Sequence, residues 1–290
     1  MPFRILPVVL VAGIAILCAG RAKADPDFGY VYTAQVEEPG ETEVSLWATD
    51  RRGKAQGHYD AHDYRIEVER GVTEHFQASV YANFASHNVR GSGEFAPIES
   101  GLAFEGLSAE FIYQLRRPKN GRLGISIYAE PAWSRISKVT GQRNDEYELE
   151  LKAIAQKNLL ADRLVFAVNL TVEPEWERSR EQLAPGFFGS KTEKELGVEV
   201  ATGVSYNVAR RWWLGAEGRY HSVYPNWTHG LHRENYAVYA GPSVHYDGGK
   251  WAVTATWLPQ LFGSPSGANS SLELHDHEKN ELRVKLSYEF

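Results

Sequence analysis

The last ten residues of the chain alternate strictly between apolar and polar side chains. Leu282, Val284, Leu286, Tyr288 and Phe290 share one register, whereas the opposite register holds Glu281, Arg283, Lys285, Ser287 and Glu289. Successive side chains of a β-strand point to opposite faces, so this period of two predicts a strand with one apolar face and one charged face.

The same alternation recurs along the rest of the chain and predicts twelve strands. They are expected at about 41–50, 57–70, 72–87, 104–116, 121–135, 145–158, 161–178, 191–207, 210–224, 234–247, 250–259 and 278–290. Each is near or above the roughly 9–11 residues that a tilted membrane-crossing strand needs. We therefore predict an all-β protein, a transmembrane antiparallel up-and-down β-barrel over residues 41–290. Counts of ten or fourteen strands remain open, as does a soluble antiparallel sandwich.

The connections between these strands alternate in length. Short turns are expected at Gly71, 117–121, 158–162, 208–210 and 247–249, and longer links at 51–56, 88–103, 136–144, 179–190, 225–233 and 260–277. Short turns at one end and long loops at the other are typical of outer-membrane barrels. An even strand count puts both ends of the barrel domain on the short-turn side.

The closing strand also resembles that of Gram-negative outer-membrane barrels, in which a terminal Phe forms part of the assembly signal. The resemblance implies outer-membrane lipids as surroundings and the barrel assembly machinery as a partner of Phe290. Other stretches resemble an uncharacterised family of proteobacterial outer-membrane proteins. They include residues 28–33, 47–54, 130–135, 175–177, 219–222, 240–242 and 256–260. That resemblance supports the fold and implies no catalytic or ligand-binding residue.

The amino terminus has the features of a signal peptide over residues 1–24. Arg4 precedes a short apolar run from Val8 to Leu17, and the small residues around Ala24 suit cleavage there. Cys18 lies within this segment, so the mature chain is expected to lack cysteine. Residues 25–40 are expected to form a periplasmic arm, ordered or disordered, or a lead-in strand, and an inward-tucked plug remains open. The localisation expected is the outer membrane of a Gram-negative bacterium.

If the apolar register faces lipid, the opposite register lines the lumen. The side chains expected there, as a solute path or an ion-pair network, are Asp63, Arg65, Glu67, Glu110, Arg116, Glu130, Glu148, Glu150, Lys152, Glu195, Glu199, Glu217, Arg219, His221, Arg283 and Lys285. Acids outnumber bases, so a water-filled lumen would favour cations. A network of ion pairs that closes the lumen fits the same inventory.

These features favour a passive, porin-like channel for small polar solutes. The alternatives are a non-conducting structural or surface-binding barrel and a lipid-modifying hydrolase. The candidate for hydrolysis is His221 with Ser222, but neighbours on a strand face opposite ways, so the prediction is that the protein is not an enzyme.

Neither metal nor cofactor is expected, because the loop histidines, such as His58, His229 and His275, have no compact ligand spacing. Removing residues 1–24 takes three bases from the 31 Lys and Arg and leaves the 37 acids, so 28 − 37 gives a formal charge of −9. An acidic chain without basic tracts argues against nucleic acid as a partner.

Overall fold

In the computed structural model the protein is a closed antiparallel barrel. The structure describes residues 28–91, 97–119, 121–184, 187–266 and 270–290, without the side chains of residues 179–188. The predicted signal peptide and residues 25–27 lie outside the described residues. No helix in the described ranges is long and apolar enough to cross a membrane.

Twelve strands form the wall, and one two-residue strand, β4, extends a loop beside β3. The strands are β1 (Thr42–Arg52), β2 (His58–Thr73), β3 (Phe76–Arg90), β4 (Ile98–Glu99), β5 (Ala103–Arg116), β6 (Leu123–Ile136), β7 (Arg143–Leu159), β8 (Leu164–Ala184), β9 (Phe187–Ala209), β10 (Trp212–Pro225), β11 (Asn235–Asp247), β12 (Trp251–Ser264) and β13 (Asn280–Glu289). Each wall strand pairs with its sequence neighbours. Pairing of β1 with β13 closes the ring, which leaves the wall without a free edge.

The prediction of a twelve-stranded barrel is confirmed, and the sandwich alternative is wrong. The largest error in strand bounds concerns the predicted link at 179–190, because β8 and β9 continue as a long hairpin through most of it. Tight turns join the strands at one end, called here the short-turn end, where the Phe290 N–H also donates to the Thr42 carbonyl at 3.0 Å. The opposite end is called the long-loop end.

Apolar side chains cover the outside of the wall. Val80, Leu170 and Leu214 are 59%, 55% and 52% exposed, respectively, as are many residues of the same register. Aromatic rings flank this belt. Trp212, Tyr246 and Trp251 make tilted ring contacts near the short turns, and Phe84, Phe104 and Trp133 meet toward the long loops. So large an apolar surface is unstable in water and suits the hydrocarbon core of a bilayer, with the aromatic rings at its two interfaces.

Candidate functional site

The candidate site is the barrel lumen, and residues 28–40 pass through it. We call this stretch the lumenal segment. Its Gly29 and Tyr30 N–H groups donate to the Glu217 carboxylate at 2.9 and 2.7 Å, and Thr256 donates to the same carboxylate. Tyr32 exchanges two backbone hydrogen bonds with the Asn169 amide, at 2.6 and 2.9 Å. Side chains of the wall therefore supply the hydrogen-bond partners that a neighbouring strand would otherwise supply to the extended backbone.

The second half of the segment is held in the same way by wall residues near the short turns. The Ala34 N–H donates to Gln156, and the Ala34 carbonyl accepts from Gln114 and Ser126. The Glu37 N–H donates to Gln77 at 2.8 Å. The segment thus crosses the lumen from β10 to β3 in the half of the barrel nearer the short turns.

Apolar contacts add to these hydrogen bonds. Phe28 and Val31 pack against Val165 and Trp213, all of them buried. A Cβ at Gly203 would lie 2.8 Å from the Phe28 ring, so only glycine leaves room for the ring in its present position. Residues 28–40 therefore lie inside the barrel, where a periplasmic arm or lead-in strand was expected, and this placement fits the inward-tucked alternative.

Ion pairs connect charged side chains within and between strands on the inner face of the wall. Arg65 pairs with Glu130 and Lys152 with Glu150. Arg219 bridges Glu199 and Glu281, both at 2.7 Å. These pairs hold the guanidinium and carboxylate groups away from the lipid, where each isolated charge would cost several kcal/mol.

Further contacts tie the remaining inward bases to the wall and to the segment. Arg283 donates to the Gly29 carbonyl at 3.0 Å, and its guanidinium lies 4.0 Å from the centre of the Tyr30 ring. Lys285 lies 3.4 Å from Glu43. The bases of β10 and β13 thus stabilise the segment as well as the wall.

An acid-rich wall runs along β7, β8 and β9. Strand register puts Glu148 opposite Glu175 and Glu175 opposite Glu195, so three carboxylates lie side by side on the inner face. Lys138 pairs with Glu148 at 3.2 Å. Among the described residues, no base forms an ion pair with Glu175 or Glu195. The three carboxylates are therefore neighbours on three adjacent strands.

At the long-loop end the connection between β12 and β13 folds into the barrel mouth. Glu273 is buried, and its carboxylate accepts the His275 and His277 N–H groups at 2.9 and 3.0 Å. Gln260 donates to the Glu273 and Glu278 carbonyls. The loop is therefore anchored from inside the barrel.

Charges at this mouth hold the loop in place. Glu278 lies 2.9 Å from Arg51 and 3.3 Å from Lys54. Burial opposes the charged form of Glu278, but the charges of Lys54 and Arg51 prevail and lower its pKa to about 2. Burial lowers the pKa of His277 to about 3, which keeps the imidazole neutral.

The connection between β6 and β7 reaches across part of the mouth from the other side. Its Lys138 carbonyl accepts hydrogen bonds from Arg51 at 2.7 Å and Tyr59 at 3.3 Å, on β1 and β2. Gly141 has a φ of +71°, and a Cβ there would lie 2.6 Å from the His87 ring. Glycine thus permits the tight crossing of this loop over β3.

The structure brings most of the predicted lumen residues into contact with one another or with the segment. Beyond those named above, Asp63 pairs with Arg51, Glu67 accepts from Trp47, and Tyr81 lies between Glu67 and Glu110. Glu195 stands in the acid-rich wall, and His221 lies across from Glu199 with its ring 5.3 Å from that of His277.

The prediction for Arg116 is wrong. An irregularity between Gln114 and Arg116 shifts the register, so Arg116 pairs with Ile125, which belongs to the outward face of β6. Arg116 is exposed and donates to the Leu123 carbonyl at the short-turn rim. The extra residue of a bulge turns the following side chains to the other face of the strand, and the alternation of residue types does not show where a bulge occurs.

Other lumen residues were not singled out from the sequence. The anchors Gln77, Gln114, Ser126 and Gln156 are uncharged, and the loop residues Lys138 and Glu278 lie outside regular strands. The inward register of β3, β5, β6 and β7 contains the four anchors, so a search for inward amides and hydroxyls near the short turns would have found them. His221 and Ser222 do not form a catalytic pair, because Ser222 donates to the Val198 carbonyl.

Comparison with solved structures finds barrels of the same fold. The COG4313 outer membrane channel from Pseudomonas putida F1 is 11% identical, with a TM-score of 0.62 over 92% of this chain and 100% of that chain. The translocator domain of autotransporter NalP from Neisseria meningitidis is 13% identical, with a TM-score of 0.52 over 88% of this chain and 90% of that chain. At such identities the likeness concerns the fold alone.

Comparison by sequence gives a family but no activity. No curated protein matches the chain. Residues 21–290 match the model of DUF6662, described as a family of unknown function. Because the match covers nearly the whole chain, the protein belongs to the DUF6662 family.

Proposed function

We propose that this protein is an outer-membrane channel for small polar solutes, and that movement of the lumenal segment opens it. The observation that carries the proposal is a closed barrel with an apolar outer belt and a polar, charged interior. A barrel built only for rigidity needs no such interior, since each inward charge must be hydrated or paired. The similar barrel from Pseudomonas putida is itself described as an outer membrane channel.

The plugged lumen makes the segment the natural gate. Its backbone is hydrogen-bonded to side chains of the wall and not to the backbone of a wall strand. The segment can therefore leave without breaking the hydrogen bonds between wall strands. The cavity beside it has a volume of about 170 Å³ and reaches the short-turn residues Gly249 and Lys250. Withdrawal of the segment toward that end would join this cavity to the half of the lumen nearer the long loops.

The charge distribution favours cations as the permeating solutes. Glu148, Glu175 and Glu195 form a continuous acidic row on one wall. A row of carboxylates in a narrow aqueous path raises the local concentration of cations and excludes anions. Small ammonium-bearing solutes therefore suit this lumen better than acidic sugars or phosphates.

A disulfide lock provides the decisive test of conduction. A Cβ built on Gly29 lies 2.7 Å from the Thr256 Cβ, so the pair Gly29→Cys and Thr256→Cys can be linked after a shift of about 1 Å. Cys18, the single cysteine of the sequence, lies in the predicted signal peptide and can be omitted from the expressed protein. In planar bilayers we expect current from the reduced protein and its loss on oxidation, with each single-cysteine variant insensitive to oxidant.

The outcomes separate the hypotheses. Absence of current from folded wild-type and reduced double-cysteine protein would reject the channel in favour of a structural or surface-binding barrel. Equal current before and after complete oxidation would reject the segment as the gate. Cation preference is measured separately, from the reversal potential in a KCl gradient. The double substitution Glu175→Gln and Glu195→Gln should reduce the cation preference, whereas Glu99→Gln on β4 should leave it unchanged.

A further inference from the structure

Three glutamates converge inside the barrel beside the lumenal segment. Glu67 and Glu69 lie on β2 and Glu110 on β5, and one carboxylate oxygen of each lies within 4.8 Å of the others. Strand register creates the cluster, since Glu69 is opposite Ser79 of β3 and Ser79 is opposite Glu110. We call these three residues the glutamate cluster.

One oxygen of the cluster is buried without a hydrogen-bond donor. Glu110 is 0% exposed, and its Oε2 accepts from the hydroxyls of Tyr81 at 2.7 Å and Tyr32 at 3.2 Å. Its Oε1 has no partner among the described residues. A buried carboxylate oxygen in this state loses its hydration without compensation, so it marks a place for a positively charged ligand.

The hydrogen-bond donors to the three carboxylates are uncharged, and they include Gln77 and Ser79, which donate to Glu69. The Tyr81 hydroxyl lies 2.6 Å from Glu67 and 2.7 Å from Glu110, yet its single hydrogen can serve only one of them. The nearby bases have other acidic partners: Arg65 pairs with Glu130, and Lys285 lies 3.4 Å from Glu43. The three carboxylates therefore carry more negative charge than the nearby bases balance.

A route to the cluster exists from the short-turn end. The cavity of about 170 Å³ is lined by Glu67 and Glu69 and extends to Lys250. Its other acidic lining residues include Glu37, Glu43 and Asp247, and its basic ones are Lys250 and Lys285. The net negative lining draws cations inward and leads them to the two β2 carboxylates.

We propose that the glutamate cluster binds a divalent cation of the Ca²⁺ type. Three carboxylates within 4.8 Å can all reach a central ion, because Ca²⁺–oxygen distances are about 2.3–2.6 Å. The ligands are oxygens only, which suits Ca²⁺ and not Zn²⁺, which prefers nitrogen and sulfur ligands. Water in the cavity completes the coordination. The site is independent of whether the barrel conducts.

Terbium luminescence tests this proposal directly. Tb³⁺ replaces Ca²⁺ at oxygen sites, and Trp47, whose Nε1 donates to Glu67 at 2.8 Å, can sensitise its emission. Folded wild-type protein in detergent should give saturable emission that excess Ca²⁺ abolishes. Glu69→Gln and Glu110→Gln should each weaken Ca²⁺ competition by about tenfold or more. Glu195→Gln, which removes an acid on β9 far from the cluster, should leave the Ca²⁺ competition equal to that of the wild type.

Two controls keep the result interpretable. Heat-dependent mobility on gels establishes that every variant is folded, and Trp47→Phe should lose emission while calorimetry shows that it still binds Ca²⁺. Emission from the folded wild type that Ca²⁺ does not displace, or equal competition in all variants, would overturn the site. The cluster would then hold a shared proton. Neither result depends on current through the barrel, so failure here leaves the channel proposal intact.

Discussion

Replacing Glu217 by Gln tests whether one carboxylate holds the lumenal segment. Oε1 of Glu217 accepts from the Gly29 N–H and the Thr256 hydroxyl, and Oε2 accepts from the Tyr30 N–H. Glutamine keeps one oxygen and turns the other into a donor, which must then face an N–H group. At least one charge-assisted hydrogen bond is lost, and the others become neutral.

The expected cost follows from these contacts. A hydrogen bond to a charged group contributes about 1.5–3 kcal/mol, so the docked state of the segment should lose about 2 kcal/mol relative to the released state. That free energy corresponds to a roughly 30-fold shift in the docking equilibrium. The wall itself should be unaffected, because its backbone ladder does not involve this side chain.

Hydrogen exchange measured by mass spectrometry reports the change. Peptides that contain Gly29 and Tyr30 should exchange about 30-fold faster in Glu217→Gln, while peptides from β13 keep their protection. Glu195→Gln is the matched control, since Glu195 is an inward acid that forms no hydrogen bond with the segment in the described structure. Unchanged exchange at Gly29 and Tyr30 would refute the assignment of Glu217 as an anchor.

Three further predictions concern other parts of the barrel. Val284→Arg, on the outward face of β13, should destabilise the barrel in lipid vesicles by about 2–4 kcal/mol in urea titrations, and a neutral effect would contradict the membrane-facing register. Gly203→Val should displace the Phe28 ring and increase proteolysis of the lumenal segment, whereas protection equal to wild type would disprove the tight contact. His277 is neutral in the docked loop, with a pKa lowered to about 3 by burial. Its contribution to loop docking is therefore complete above its ordinary value of 6.5 and is lost as the pH falls toward 3. Exchange of loop amides should increase over that range, and His277→Gln should flatten the dependence.

Local pattern predicted the wall well because each strand has one face in an apolar environment and one in a polar environment. The alternation in β13 correctly separates Leu282, Val284 and Leu286 from Glu281 and Arg283. Strand bounds differ by a few residues at most ends. Two exceptions have no signal in the sequence. The β8–β9 hairpin extends into residues predicted as a loop, and a register shift before Arg116 changes which face that residue occupies.

The candidate site was only partly predictable, because its partners are far apart in the sequence. Glu217 meets Gly29 across 188 residues, and Arg51 meets the Lys138 carbonyl across 87 residues. An inventory of inward charges identifies Glu217 as lumenal but does not show that it binds backbone N–H groups. The same holds for Glu110, whose role depends on Glu67 and Glu69 of another strand.

The sequence by itself determined a barrel of twelve strands with an apolar outside and a charged inside. The reason is that a period of two is a local property, repeated in every strand and legible without knowledge of the neighbours. Only the tertiary structure decided that residues 28–40 cross the lumen near the short turns, that two loops fold over the mouth, and which inward charges meet. Those features depend on distances across a closed ring, and ring closure brings together residues that no local pattern connects.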